Sequence, residues 1–386
     1  MLLYIALIAI PVIAYFASQN TSGRSTAFLG LYLLILTLIV GCADMLGGYD
    51  RYIYGALFDD TALRISQGGF LDGSYLLALY PKELGYDMLN VVVGYFSLNR
   101  YVFIFIVTVI IYALVFVSLK RYASNYPLAL VVFMGLWFFF TFTYLRQILA
   151  ASIAWLAVDY AIRRKPVPFF AIVLLAFSFH NSAIVFAPFY FLPQRKYGTN
   201  AIIITMLLCA VVGFIGPTDA LFSQFGSLSG SEQRMSGYST EAESSGFRID
   251  YVIEAVVFLF FILMRYDDID EDNPQEVAML NMALCFCAIL LVFTRSLNGG
   301  RLSWFYMIGV ICTLSTLGSR RSIVDAYCMS LTGLMVALFI RVLLQWGALG
   351  TLYPYKSFFT NGHRAGDWVY NIYEYDPRYD VDKFYK

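Results

Sequence analysis

Apolar runs close to the length of a bilayer crossing recur along almost the whole chain. A helix needs roughly 20 predominantly apolar residues to span the hydrocarbon. Runs of this kind cover 1–17, 26–46, 101–119, 127–143, 147–162, 199–215, 249–264, 276–294, 302–317 and 322–345. They predict an all-α, polytopic integral membrane bundle of about ten to twelve helices. The stretch 166–192 carries His180-Asn181-Ser182 near its middle, so it is one long helix or a hairpin of two short ones. Tyr86 to Phe96 is apolar but too short to span, and it is expected to lie in the interface or to re-enter. The first run lacks a basic leader, which predicts a retained helix rather than a cleaved signal.

Positive charge arbitrates the topology, because short cytoplasmic loops collect Lys and Arg. With the N-terminus outside and a hairpin at 166–192, one side receives Arg24, Lys120-Arg121, Arg163 to Lys165, Arg195-Lys196, Arg265 and Arg320-Arg321. A single helix there would throw the later clusters to the opposite side. The hairpin is therefore expected. The membrane domain then spans 1–345, with external loops at 47–86 and 216–248 and an external Tyr-rich tail at 346–386.

Composition agrees with lipid as the main solvent. Of 386 residues, 60% are hydrophobic and 13% charged, against about 25% charged in soluble domains. Lys plus Arg equals Asp plus Glu at 26 each, so no basic excess is available for nucleic acid. The six cysteines fall in apolar runs and read as small core residues.

Charges away from the cytoplasmic flanks need a reason, and they gather on the external side. Arg146 and Gln147 open a helix that continues with Ala150, Ala151 and Ala154. Small residues allow close helix packing, which would place Arg146 over the bundle interior; the alternative is a snorkelling helix-end arginine. Arg295 and Arg301 bracket a short turn whose Gly299-Gly300 offers open backbone to a ligand. His180 falls at the hairpin tip, where it is either a hydrogen-bonded turn residue or a base. Asp50-Arg51 follows the second helix and is either a plain ion pair or part of the site. Several arginines on one face suit an anionic ligand, because guanidinium binds phosphate oxygens bidentately. No Gly-rich phosphate loop, metal-ligand cluster or nucleophile elbow accompanies them. A lipid-linked phosphate or pyrophosphate fits, with no metal and no cofactor.

At these residues the chain resembles the EpsG family of bacterial exopolysaccharide proteins, which is akin to Wzy-type polysaccharide polymerases. The resemblance rests on Asp50-Arg51-Tyr52 with Tyr54, Glu83 to Tyr86, Arg146-Gln147 with Ala150, His180 with Ser182-Ala183, and Arg301 with Tyr306, in that order. It implies a bundle like that of GT-C glycosyltransferases and O-antigen ligases. It implies an enzyme of exopolysaccharide, capsule or O-antigen synthesis in the bacterial cytoplasmic membrane, working on its external side. The substrate would be an oligosaccharide repeat unit on undecaprenyl pyrophosphate. Membrane lipid, a chain-length regulator and a flippase would be its partners.

Charge suggests the roles. Arg146 and Arg301, with Arg295 as a third, would stabilise the anionic leaving group. His180 would act on the acceptor hydroxyl, with Asp50 as competitor. Arg51, Tyr52, Glu83, Gln147 and Tyr306 are expected to contact substrate. The rival readings are an O-antigen ligase-like enzyme, a transporter or flippase of lipid-linked glycans, and an external membrane acyltransferase. The transporter reading calls for internal repeats and midplane charges, and neither is evident in the sequence.

Overall fold

The computed structural model describes residues 1–18, 23–45, 48–70, 74–216, 246–296, 298–321, 325–348, 352, 355–357 and 359. Most of the expected external loop 216–248, and nearly all of the tail beyond 348, lie outside the described residues.

The chain is all-helical in its described parts. In order, the helices are α1 (Leu2–Ala17), α2 (Thr26–Gly41), α3 (Tyr49–Ser66), α4 (Tyr75–Leu79), α5 (Leu84–Gly94), α6 (Arg100–Tyr122) and α7 (Tyr126–Leu136). There follow α8 (Leu145–Trp155), α9 (Val158–Ile162), α10 (Pro166–Phe179), α11 (Thr199–Ile215), α12 (Ile249–Met264), α13 (Pro274–Val292), α14 (Met307–Ser319) and α15 (Ala326–Ala348). Tight 3-10 helix fills Phe138–Phe142, Asn181–Tyr190 and Gly299–Tyr306. Five helical stretches are long and apolar enough to cross a membrane: α6, α8 with α9, α13, the 299–319 stretch, and α15. The helices α1, α2, α7, α10 and α11 are apolar but shorter.

Local sequence sets the ends. Asn125 accepts a hydrogen bond from the Leu128 N–H and Pro127 follows in the first turn, so α7 starts there. Asn273 and Pro274 start α13 in the same way. Lys120 and Arg121 close α6, where cations complement the helix dipole. Neighbouring spans come close where a side chain is missing. A Cβ on Gly309 would lie 2.3 Å from Met282 Cβ, and one on Gly213 would lie 2.0 Å from the Leu291 carbonyl. These glycines let α14 and α11 press against α13.

The stretch 166–192 folds as a hairpin. α10 ends at Phe179, His180 is extended (φ −156°, ψ 119°), and the 3-10 stretch doubles back with Phe186 stacked on Phe169. Arg164 closes the base in a left-handed conformation (φ 52°) and donates to the carbonyls of Tyr190 and Leu192 at 2.5 and 3.1 Å.

The basic clusters consequently meet at one end of the bundle. Arg121 pairs with Asp159, and Arg265 with Asp325. Lys196 donates to the Ile269 carbonyl at 3.0 Å, and Arg320 pairs with Glu276. Two carboxylates of the acidic loop around 267–276 are thus paired, Glu276 with Arg320 and Asp268 with Arg321. The region 47–86, expected as a loop, is largely helical. Its α3 packs on α5 and α6, with Asp59 bonded to Arg100. α5 shows a stripe of exposed Leu84, Met88 and Val92 at four-residue spacing, continued by Phe96 just past its end, while Tyr86, Asp87 and Asn90 on its other face are buried. That pattern suits a helix lying against lipid without crossing it.

The basic end is expected to face the cytoplasm. In a background lacking the six native cysteines, Lys165→Cys should resist an impermeant thiol reagent in intact cells. Asn99→Cys, at the opposite end of α6, should react. The reverse pattern would invert the bundle.

Candidate functional site

The end opposite the basic clusters gathers residues from five separate segments. Asp50 opens α3, Tyr80 and Glu83 join α4 to α5, and Tyr144, Arg146 and Gln147 begin α8. Asn181 follows the hairpin tip, and Arg301 lies in the 299–306 stretch. Of the 3-10 stretches, that at 138–142 leads into Tyr144, that at 181–190 carries Asn181 and that at 299–306 carries Arg301. Such winding is uncommon beyond three or four residues and often marks a functional bend.

Arg146 is 6% exposed and ion-paired with Glu83, itself 2% exposed. Glu83 also accepts the Asn181 backbone N–H at 3.2 Å. The guanidinium lies 3.5 Å from the Tyr80 ring centre and 5.3 and 5.6 Å from those of Tyr54 and Tyr86. Arg146 therefore points into the bundle, and the snorkelling alternative does not hold. Gln147 donates to the Arg301 carbonyl at 2.8 Å, which ties α8 to the 299–306 stretch. The Arg301 guanidinium meets the Tyr144 hydroxyl at 3.2 Å and lies 4.4 Å from its ring centre. Trp304 stacks on Phe140 at 4.6 Å and meets Tyr144 edge-on at 5.3 Å, so an aromatic wall borders Arg301.

Asp50 joins the two arginines electrostatically. Burial pushes its carboxyl above the ordinary range, and Arg301 and then Arg146 pull it back. The structure thus brings Asp50, Glu83, Arg146, Gln147 and Arg301 into one cluster, with His180 beside Asn181 at its edge.

Other expected residues have different work. Arg51 is fully buried and donates to the carbonyls of Val40, Ala43, Asp44 and Phe142 at 2.9–3.4 Å. It satisfies the orphan carbonyls at the end of α2, so its donors are turned to backbone and not to a ligand. Tyr52 is buried beside it on α3. Arg295 donates to the Phe214 carbonyl at 2.9 Å and closes the end of α11. Tyr306 bonds the Val185 carbonyl at 2.9 Å and packs on Phe186, so it pins the hairpin from below. Gly299 and Gly300 do not open the backbone to a ligand. A Cβ there would strike Phe293 at 2.6 Å and Tyr251 at 2.5 Å. His180 Nδ1 accepts the Ser182 N–H at 3.3 Å. In the neutral ring that assigns the proton to Nε2, which makes that nitrogen a donor.

Sequence reasoning passed over Tyr80, Tyr144 and Asp87. Asp87 is one turn beyond Glu83, fully buried, and neither carboxyl oxygen has a hydrogen-bond partner among the described residues. Its signal was legible: a lone carboxylate, followed by Asn90, in an otherwise apolar helix. Burial first, and then Glu83, push the Asp87 carboxyl up to about 7, against the pull of Arg146. Among the described residues no three His, Cys, Asp or Glu side chains converge as metal ligands.

Two tests follow from this geometry. A carboxyl raised in the fold holds its proton longer than in the unfolded chain. Its cost to stability is therefore absent below its unfolded pKa of about 3.9, grows as pH rises, and is complete above about 7. Asp87→Asn should raise the thermal midpoint in detergent at pH 8 and leave it nearly unchanged at pH 4. An equal gain at both would show that the charge is not what strains the fold. For His180, a turn-holding role predicts that His180→Asn keeps most activity while His180→Leu loses it. Equal loss in both would assign the imidazole to the chemistry.

Comparison with known proteins adds one finding. The EpsG family model matches residues 26–357, which takes in the whole cluster. No curated protein and no solved structure matches the chain.

Proposed function

The chain belongs to the EpsG family, and we propose that it is a polysaccharide polymerase that joins lipid-pyrophosphate-linked oligosaccharide repeat units at the external membrane face. The observation that carries this reading is Arg301 set against the Tyr144 and Trp304 rings and tied through Gln147 to the helix that carries the buried Arg146–Glu83 pair. A sugar ring packs well on Tyr144 and Trp304, and guanidinium groups suit the pyrophosphate. The lipid tail remains in the bilayer, which the surrounding apolar helices permit.

In the proposed step the acceptor hydroxyl oxygen attacks the anomeric carbon of the donor. The bond from that carbon to the pyrophosphate oxygen breaks, and the pair leaves with the lipid pyrophosphate. The hydroxyl proton goes to the Asp50 carboxylate. Charge grows on the leaving group, and a fixed cation aimed at it lowers the barrier. Arg301 fits that role best, because it is partly exposed and has no carboxylate as its ion-pair partner among the described residues. Arg146 is already balanced by Glu83, so its part is to hold Asp50 ionised and to fix the floor of the site. His180 Nε2–H is a donor at the edge, suited to orienting a sugar hydroxyl.

Purified protein given the lipid-linked repeat unit as sole substrate should make a ladder of chain lengths. No ladder without a second acceptor would favour a ligase, and no product at all would favour a transporter. In that assay Arg301→Ala should lose about 10- to 100-fold, the range for one charge-assisted phosphate contact. Arg301→Lys should recover little, because an ammonium lacks the planar fork. Full activity in the lysine variant would leave Arg301 a structural residue. The rate should fall at acid pH as Asp50 takes a proton. Arg301→Gln should move that limb to higher pH, because Arg301 holds the Asp50 carboxyl down.

A further inference from the structure

A second built site lies at the opposite end of the bundle, between α6, α9 and α10. A cavity of about 280 Å³ opens there, roughly nine times a water molecule's share of liquid volume. Its lining is largely aliphatic and aromatic, made by Val117, Leu156 and Ile172 with the rings of Tyr122 and Tyr160. Its rim carries Arg121, which shares Asp159 with Arg163. Arg163 stands outside the lining itself, and two half-exposed guanidiniums against the one Asp159 carboxylate leave a net positive charge and unused donors beside the cavity.

Ser118 adds an independent sign. A helical serine or threonine ordinarily bonds back to the carbonyl four residues earlier. Thr108 does so on the same helix, bonding the Ile104 carbonyl at 2.7 Å. Ser118 does not. Its residue is 1% exposed, it lines the cavity, and its hydroxyl has no partner among the described residues. A buried hydroxyl without a partner costs free energy unless something supplies one.

We propose that this cavity binds the headgroup of an anionic phospholipid from the leaflet at the basic end, with the phosphate on Arg121 and Arg163 and a headgroup or ester oxygen within reach of Ser118. The chemistry of the lining separates this ligand from a soluble one. Arg121 and Asp159 are the charged side chains of the lining, and the aliphatic and aromatic side chains beside them suit the acyl chains that follow a headgroup. Basic pockets between spanning helices at the cytoplasmic face suit such lipids. The site is independent of the cluster around Asp50 and does not rest on the proposed reaction.

The test is native mass spectrometry of the full-length protein titrated with cardiolipin, phosphatidylethanolamine or inorganic phosphate. Wild type should retain cardiolipin well above phosphatidylethanolamine, and millimolar phosphate should not displace it. Arg121→Gln and Arg163→Gln should each weaken cardiolipin retention about fivefold. Ser118→Leu, which fills the cavity and keeps both arginines, should weaken it at least as much. The double variant Lys120→Gln/Lys165→Gln removes twice the charge of either arginine variant, outside the cavity, and should change little. Unchanged retention in the arginine and leucine variants would overturn the proposal, as would equal loss in the lysine control. Displacement by free phosphate would overturn the lipid assignment. Thermal midpoints of all variants establish that each compared protein is folded.

Discussion

The buried pair of Arg146 and Glu83 is the constraint from which the rest of the site follows. Removing one partner of such a pair leaves a charge in low dielectric, which is strongly destabilising. The pair therefore fixes α8 against α5 wherever those helices are placed. Glu83 carries the constraint further through the Asn181 N–H, so the hairpin tip is positioned by the same carboxylate. Gln147, next to Arg146, passes it on to the 299–306 stretch through the Arg301 carbonyl. Elements far apart in sequence are thus held to one another by polar contacts at a single end of an otherwise apolar bundle.

This end is also where regular α-helix gives way. Backbone groups at membrane depth must be satisfied internally, and irregular backbone is tolerated only where it is buried in protein or lines an aqueous cavity. The 3-10 stretches meet that condition by side-chain help. Tyr306 and Trp155 bond the carbonyls of Val185 and Phe305, and Arg51 serves four carbonyls around α2 and Phe142. The wound segments hold Tyr144, Asn181 and Arg301 in places that straight helices would not reach. Asp87 shows the opposite condition, a buried carboxyl left unserved. In native proteins such a group calls for an explanation, and strain stored at a functional site is one.

The two ends divide the work of charge. At the basic end, the partly exposed Arg121 and Arg320 are matched by Asp159 and Glu276. Such pairs contribute little to stability individually, and their main consequence is orientation. At the other end, burial makes each charge count, and a few residues govern the field around Asp50.

The sequence by itself determined the membrane class, the approximate spans and the hairpin at 166–192. Hydrophobic length and the sidedness of basic residues are one-dimensional properties, and bilayer physics acts on them directly. Charge at the unexpected flank also made Asp50, Arg146 and Arg301 candidates in a string of letters, and the family resemblance added Glu83 and Gln147. Only the tertiary structure decided their partners. Arg51 and Arg146 look alike in sequence, yet one closes α2 and the other pairs with Glu83 in the site. Gly299 and Gly300 read as open backbone and prove to admit the rings of Phe293 and Tyr251. The reason is physical. Which donor meets which acceptor depends on how helices from distant parts of the chain pack, and periodicity along one helix carries no information about its neighbour.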